Sequence, residues 1–141
     1  MHHLAVLEKK RKLLEKIISG EKSIESRWYK MRKTPYGVIK AGDTIYFKDS
    51  GEPVTVQATV ERVLFFSDLT KEKYKDIIEK YGDAISLKNR NVDDYLKQKY
   101  NYVTLVFLKD VKPIQPFSIN KKGYGVMAAW ITVEDINTIK V

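Results

Sequence analysis

Three ionic side chains fall close together early in the chain: Lys22, Glu25 and Arg27, within the stretch I-I-S-G-E-K-S-I-E-S-R-W from Ile17 to Trp28. In an extended segment side chains alternate faces, so Glu25 and Arg27 share one face, roughly 7 Å apart along the strand. Ile24 and Trp28 take the other face, where Trp28 reads as core. Arg27 offers a planar fork suited to a phosphate or a base edge, and Glu25 an acceptor for an exocyclic amine. The same two side chains can equally pair with each other. Lys22 follows a glycine that ends a helix, where a flexible ammonium meets a phosphate or a base carbonyl. To serve as a nucleophile it would need burial to lower its pKa well below about 10.4; an ordinary turn lysine is the competing reading.

Two further stretches interleave cations with a ring: Arg32-Lys33-Thr34-Pro35-Tyr36 and Lys121-Lys122-Gly123-Tyr124. Single-stranded nucleic acid is held by this combination of phosphate neutralisation and base stacking, although exposed lysines beside a half-buried tyrosine are also common. A net charge of +8 favours a polyanionic partner, nucleic acid first. An ion-rich surface of the kind found in heat-tolerant proteins gives the same balance.

Other chemistries lack their residues. With no cysteine there is no disulfide, thiolate nucleophile or Cys-based zinc site, and a reducing compartment is expected. His2 and His3 are the only histidines and sit at the N-terminal end, so neither a catalytic zinc centre nor a Ser-His triad is expected. No cofactor fingerprint is present, and no metal is expected. No apolar run reaches the roughly 18 residues of a membrane helix, so a cytoplasmic protein is expected.

The elements that must position these groups follow from periodicity. Residues 3–7 read as a strand, and Leu13, Leu14, Ile17 and Ile18 mark a helix beginning near Glu8 and stopping at Gly20. Ser23–Tyr29 is extended, Lys30–Gly42 a loop, Thr44–Lys48 a strand, and Val54–Phe66 a long strand whose V-L-F-F end reads as buried on both faces. Helices are predicted over Thr70–Tyr81, with Tyr74, Ile77, Ile78 and Tyr81 inward, and over Asn91–Lys99. Tyr102–Val111 reads as a strand, Pro113 and Pro116 as a loop, Gly125–Ile131 as a last strand with Trp130 in the core, and Thr132–Ile136 as a short helix. One domain over residues 1–141 is expected, α+β in class: a small mixed β-barrel of about six strands with inserted and flanking helices, its closure hiding the strand edges.

The spacing G-x-K-x-x-E-x-R at Gly20, Lys22, Glu25 and Arg27, followed by G-D-x-I-x-F at Gly42, Asp43, Ile45 and Phe47, resembles the ASCH domain, a member of the PUA-like superfamily of small β-barrels. The resemblance runs from the first strand to Trp130 and implies a cleft beside the first helix. Lys22, Glu25 and Arg27 would line its floor, and loops 30–40 and 120–124 its basic rim. It further implies binding of RNA or a modified nucleotide, with Lys22, Glu25, Arg27, Arg32, Lys33, Tyr36, Lys48, Lys121, Lys122 and Tyr124 as candidate contacts. Some members resemble metal-independent amidohydrolases acting on N4-acylated cytidine, in which a lysine placed as Lys22 works with a threonine and a glutamate. The threonine position is taken here by Glu25, leaving Lys22 and Glu25 as the catalytic candidates of that alternative. A protein-interaction adaptor in transcription or translation is a third alternative.

Overall fold

In the computed structural model, which describes residues 1–87, 93, 97–125 and 127–141, alternating apolar residues produce six strands. They are β1 (His2–Leu7), β2 (Ile24–Tyr29), β3 (Thr44–Asp49), β4 (Val54–Phe66), β5 (Tyr102–Phe117) and β6 (Trp130–Val133). The strands form one curled sheet in the order β2-β5-β4-β3-β1-β6. Only β1 and β3 run parallel, joined by the crossover that carries α1 (Leu13–Ser19) and β2; every other pairing is antiparallel. The second helix, α2 (Lys71–Tyr81), lies between β4 and β5 in sequence.

The α+β class, the number of strands and the bounds of β4 match expectation. Closure takes a different form. The sheet is a half-barrel whose end strands are β2 and β6, and among the described residues no backbone ladder joins them. The sheet curls around α1, which buries Leu13 and Ile17 against Ala5, Leu7, Ile45, Phe47, Ala58, Val60 and Val106. Leu4, Tyr46, Val54, Ile131, Val133, Ile136 and Ile139 form a second core under the C-terminal turn. In a third core α2 places Ile77 against Ile24, Val103 and Leu105, with Trp28 packed on its margin.

Several local expectations are corrected. The first helix starts at Leu13, because Lys12 takes a left-handed conformation (φ 53°) between α1 and a 3-10 turn at Lys9–Arg11. Ile18, expected on the inward stripe, is exposed. Pro113 and Pro116 lie within β5. They are tolerated because the β2 ladder ends at Phe107, leaving that edge of β5 without a partner strand that would need an N–H donor. The end of β4 is not buried on both faces, since Phe65 is 39% exposed. Residues 122–124 form a turn and β6 starts only at Trp130, which is half-buried. The terminal turn is 3-10, spans Ile136–Ile139, and is capped by the Asp135 carboxylate accepting from the Asn137 N–H at 2.9 Å. The helix expected over Asn91–Lys99 lies, apart from Asp93 and residues 97–99, outside the described residues.

Candidate functional site

Gly20 ends α1 in a left-handed conformation (φ 84°) that costs a glycine nothing, and this turn delivers Lys22 to the base of β2. Register then fixes the faces. Glu25 lies opposite Val106, Arg27 opposite Thr104 and Tyr29 opposite Tyr102. Because Val106 belongs to the core around α1, this row points into the concave side of the sheet. Glu25 and Arg27 therefore share a face, as the spacing predicts, and it is the inward one.

The carboxylate of Glu25 is 4% exposed. Its Oε1 accepts from the Ser26 N–H at 2.9 Å and lies 3.8 Å from both Lys22 Nζ and Arg27 Nε. Its Oε2 accepts no hydrogen bond, and Arg27 Nε makes none. A buried ion pair at this separation is not a close salt bridge, so an acceptor and a donor are left open side by side.

Lys22 is placed deeper. It is 2% exposed, and its ammonium donates to the carbonyls of Ile24 at 2.8 Å and Ile85 at 3.0 Å, tying the start of β2 to the segment after α2. Burial pushes its pKa down, opposed by the Glu25 charge. It sits behind Glu25 and does not line the cleft.

Arg27 spans the gap between the sheet's two ends. Its guanidinium donates to Val6 O at 3.2 Å and Ala129 O at 3.3 Å, and its carbon lies 5.2 Å from the centre of the Trp130 ring. The Ala129 carbonyl also accepts from the Val6 N–H at 2.9 Å. At this seam opens a cleft of about 290 Å³, lined by Val6, Leu7, Arg11, Glu25, Arg27, Trp28 and Tyr29 among others. The volume lies near the lower bound for small-ligand sites, about 300 Å³.

Sequence reasoning missed the support behind the seam. His3 is fully buried, with Nε2 2.8 Å from Asp43 Oδ2 and Nδ1 2.9 Å from Thr132 Oγ1; Trp130 Nε1 lies 3.4 Å from the same Nδ1. Asp43 Oδ2 also accepts from the Lys40 N–H at 3.1 Å. Burial drives the imidazole pKa down despite the Asp43 carboxylate. Burial pushes Asp43 up, but the bonds from His3 and the Lys40 amide outweigh it and hold the carboxyl below its usual range. The residues form a Thr–His–Asp line, yet it sits inside the sheet and does not line the seam cleft; it anchors β1, β3 and β6. The Gly42-Asp43 pair in the second motif was its visible half; its partners lie 40 and more residues away.

The other candidate residues divide. Lys33 Nζ lies 5.3 Å from the Tyr29 ring centre, at the cleft margin. Arg32 stacks at 5.4 Å on Tyr36, which packs on Phe65 and Tyr102. Lys121 lines an adjoining cavity of about 270 Å³ that shares Val6, Leu7, Glu8 and Ala129 with the seam cleft. Lys48 is buried, its pKa pushed down by burial and then by the charge of Lys121. Lys122 and Tyr124 are exposed on the 122–124 turn and line neither cavity.

No protein-family model matches the sequence, and no curated protein does. Among solved structures, that of an ASCH protein from Zymomonas mobilis superposes with a TM-score of 0.69 at 17% identity, covering 97% of this chain and 90% of that one. A point mutant of that Zymomonas mobilis protein gives 0.70 at 17% identity, with coverages of 97% and 93%. A hypothetical protein gives 0.52 at 22% identity, covering 81% of this chain and 100% of that one. The curled mixed sheet around α1, and its match over nearly the whole chain, show that this protein has the ASCH-domain fold, a small α+β architecture.

Proposed function

We propose that the seam cleft binds one nucleotide unit of RNA, with the base edge against Glu25 and Arg27. The observation that carries this reading is the pair of open valences: Glu25 Oε2 accepts nothing and Arg27 Nε donates to nothing, although both are buried. A neighbouring acceptor and donor complement the amine-plus-ring-nitrogen edge of cytosine or adenine. Tyr29 and Tyr100 on the wall supply flat surfaces for the ring, and Arg11 a charge for a phosphate. The net charge of +8 and the resemblance to RNA-binding PUA-like domains agree with it.

Both tryptophans border the site, Trp28 on the cleft wall and Trp130 beneath Arg27, so intrinsic fluorescence reports occupancy. Titration with cytidine, adenosine and uridine monophosphates should perturb the emission, with the two amine-bearing bases favoured over uridine. Arg27→Lys keeps the charge but loses the planar fork, and should weaken binding about tenfold or more. An emission unchanged by every nucleotide at low salt would end this reading.

The amidohydrolase alternative has one observation in its favour, the burial that lowers the Lys22 pKa. Against it, the Lys22 amine is engaged by two carbonyls and lies behind the cleft floor. Incubation with N4-acetylcytidine separates the two readings, since a binding module releases no cytidine.

A further inference from the structure

Beyond the cleft, the same sheet face continues into an aromatic surface that the nucleotide reading leaves unused. Register places Arg27, Thr104 and Phe65 in one row across β2, β5 and β4, with Tyr29 and Tyr102 in the next row outward. Tyr36 folds over this end from the 30–40 loop, its ring centre 5.1 Å from Phe65 and 5.0 Å from Tyr102. Phe65 nevertheless remains 39% exposed, in a strand whose other inward residues reach the core. Two cations border the cluster: Arg32 against Tyr36, and Lys33 over Tyr29, which itself lines the cleft.

A solvent-exposed phenylalanine ring bordered by Arg and Lys suits a ligand that is both flat and anionic. An apolar protein partner would leave the two cations without counter-charges, whereas a nucleotide supplies a ring for Phe65 and a phosphate for Arg32 or Lys33. Spacing sets how many nucleotides are involved. Two strand separations lie between Arg27 and Phe65, roughly 10 Å, which is about three base steps of 3.4 Å, from one nucleotide to the third beyond it. A duplex cannot present a bare base face to Phe65, because its bases are already stacked.

We propose that the concave face of β2, β5 and β4 is a track for single-stranded nucleic acid, with one base in the seam cleft and another, about three nucleotides along the strand, stacked on Phe65. Arg32 and Lys33 neutralise the intervening phosphates. The proposal rests on the cleft reading for its first base and adds a second, independent subsite.

The test compares a mononucleotide, single-stranded RNA and DNA hexamers, and a hairpin duplex, against the native protein, Phe65→Ala and Phe65→Trp. The native protein should bind a hexamer at least about tenfold more tightly than the mononucleotide or the duplex. Phe65→Ala should cost the hexamer about tenfold and leave the mononucleotide unchanged, and Phe65→Trp should restore the loss. The RNA and DNA arms show whether a 2′-hydroxyl is read. Phe65→Ala binding the hexamer as the native protein does would overturn the track while leaving the cleft reading intact. A duplex bound as tightly as the single strand would overturn it too. Failure of mononucleotide binding with a Phe65-dependent hexamer would instead remove the cleft reading and keep the platform.

Discussion

The guanidinium carbon of Arg27 lies 5.2 Å from the centre of the Trp130 ring, and the Trp130 indole nitrogen lies 3.4 Å from Nδ1 of the buried His3. The cleft arginine is thus seated on a ring that is itself held by the His3–Asp43 pair. The two motifs, one carrying Arg27 and the other Asp43, meet through this stack.

Trp130→Phe keeps a ring beneath Arg27 but removes the indole donor. Nucleotide affinity should fall by about two- to fivefold with little change in melting temperature, whereas Trp130→Ala should cost more in both. Titrations followed by the remaining Trp28 emission, together with thermal melts, check this; equal affinity in the native protein and Trp130→Ala would show that the stack does not position the arginine.

Lys22 is expected to matter first for stability. Lys22→Ala leaves the Ile24 and Ile85 carbonyls without their donor and removes one of the two cations beside Glu25, the other being Arg27. A loss of about 2–4 kcal/mol in urea unfolding is expected from such orphaned buried groups. An unchanged midpoint would mean that solvent replaces the ammonium at no cost.

Acid should weaken the fold through His3. Burial lowers its pKa below 6.5 in the folded chain, so the unfolded chain takes up the proton first. The stability that neutral His3 contributes is full above pH 6.5 and drains away as the pH falls from there toward the folded pKa. The Asp43 contribution, with its folded pKa depressed below 3.8, is lost only at more acid pH, as the carboxyl is protonated. Melting temperatures between pH 8 and pH 4 should therefore decline from about 6.5 downward, and His3→Asn should start lower and flatten that decline. A profile of the same slope in the variant would assign the acid loss to other groups.

Salt dependence separates phosphate contacts from base contacts. For a single-stranded hexamer, the logarithm of affinity should fall linearly with the logarithm of salt, with a slope of about −0.7 per phosphate neutralised. Replacing Arg32 and Lys33 together by glutamine should flatten the line by about one to one and a half units, while Phe65→Ala should shift it without changing its slope.

Local signals in the sequence carried much of this fold. Alternation set β4 from Val54 to Phe66, the Gly20 stop set the end of α1, and Thr70 caps α2 by accepting from the Lys73 N–H at 3.2 Å. What local pattern could not show was which edges remain free and which distant groups meet. Pro113 and Pro116 resemble strand breakers until β2 is seen to stop at Phe107. His3 resembles a terminal residue until β1 is found between β3 and β6. Within the candidate site, the shared face of Glu25 and Arg27 was legible from spacing. The depth of Lys22 was not, because it depends on Ile85, 63 residues away. Phe65 was misjudged because an apolar run records hydrophobicity and not exposure.

A barrel closed by a backbone ladder has its circumference fixed by strand number and stagger. Here two guanidinium hydrogen bonds carry β2, the first strand of the sheet, across to Val6 on β1 and to Ala129, the residue before β6. The girth of the molecule is therefore tied to a side chain that can change partners. A ligand that competes for Arg27 acts on the hoop of the sheet as well as on the cleft, and β6, on the opposite side of the seam, is where that change of girth would register.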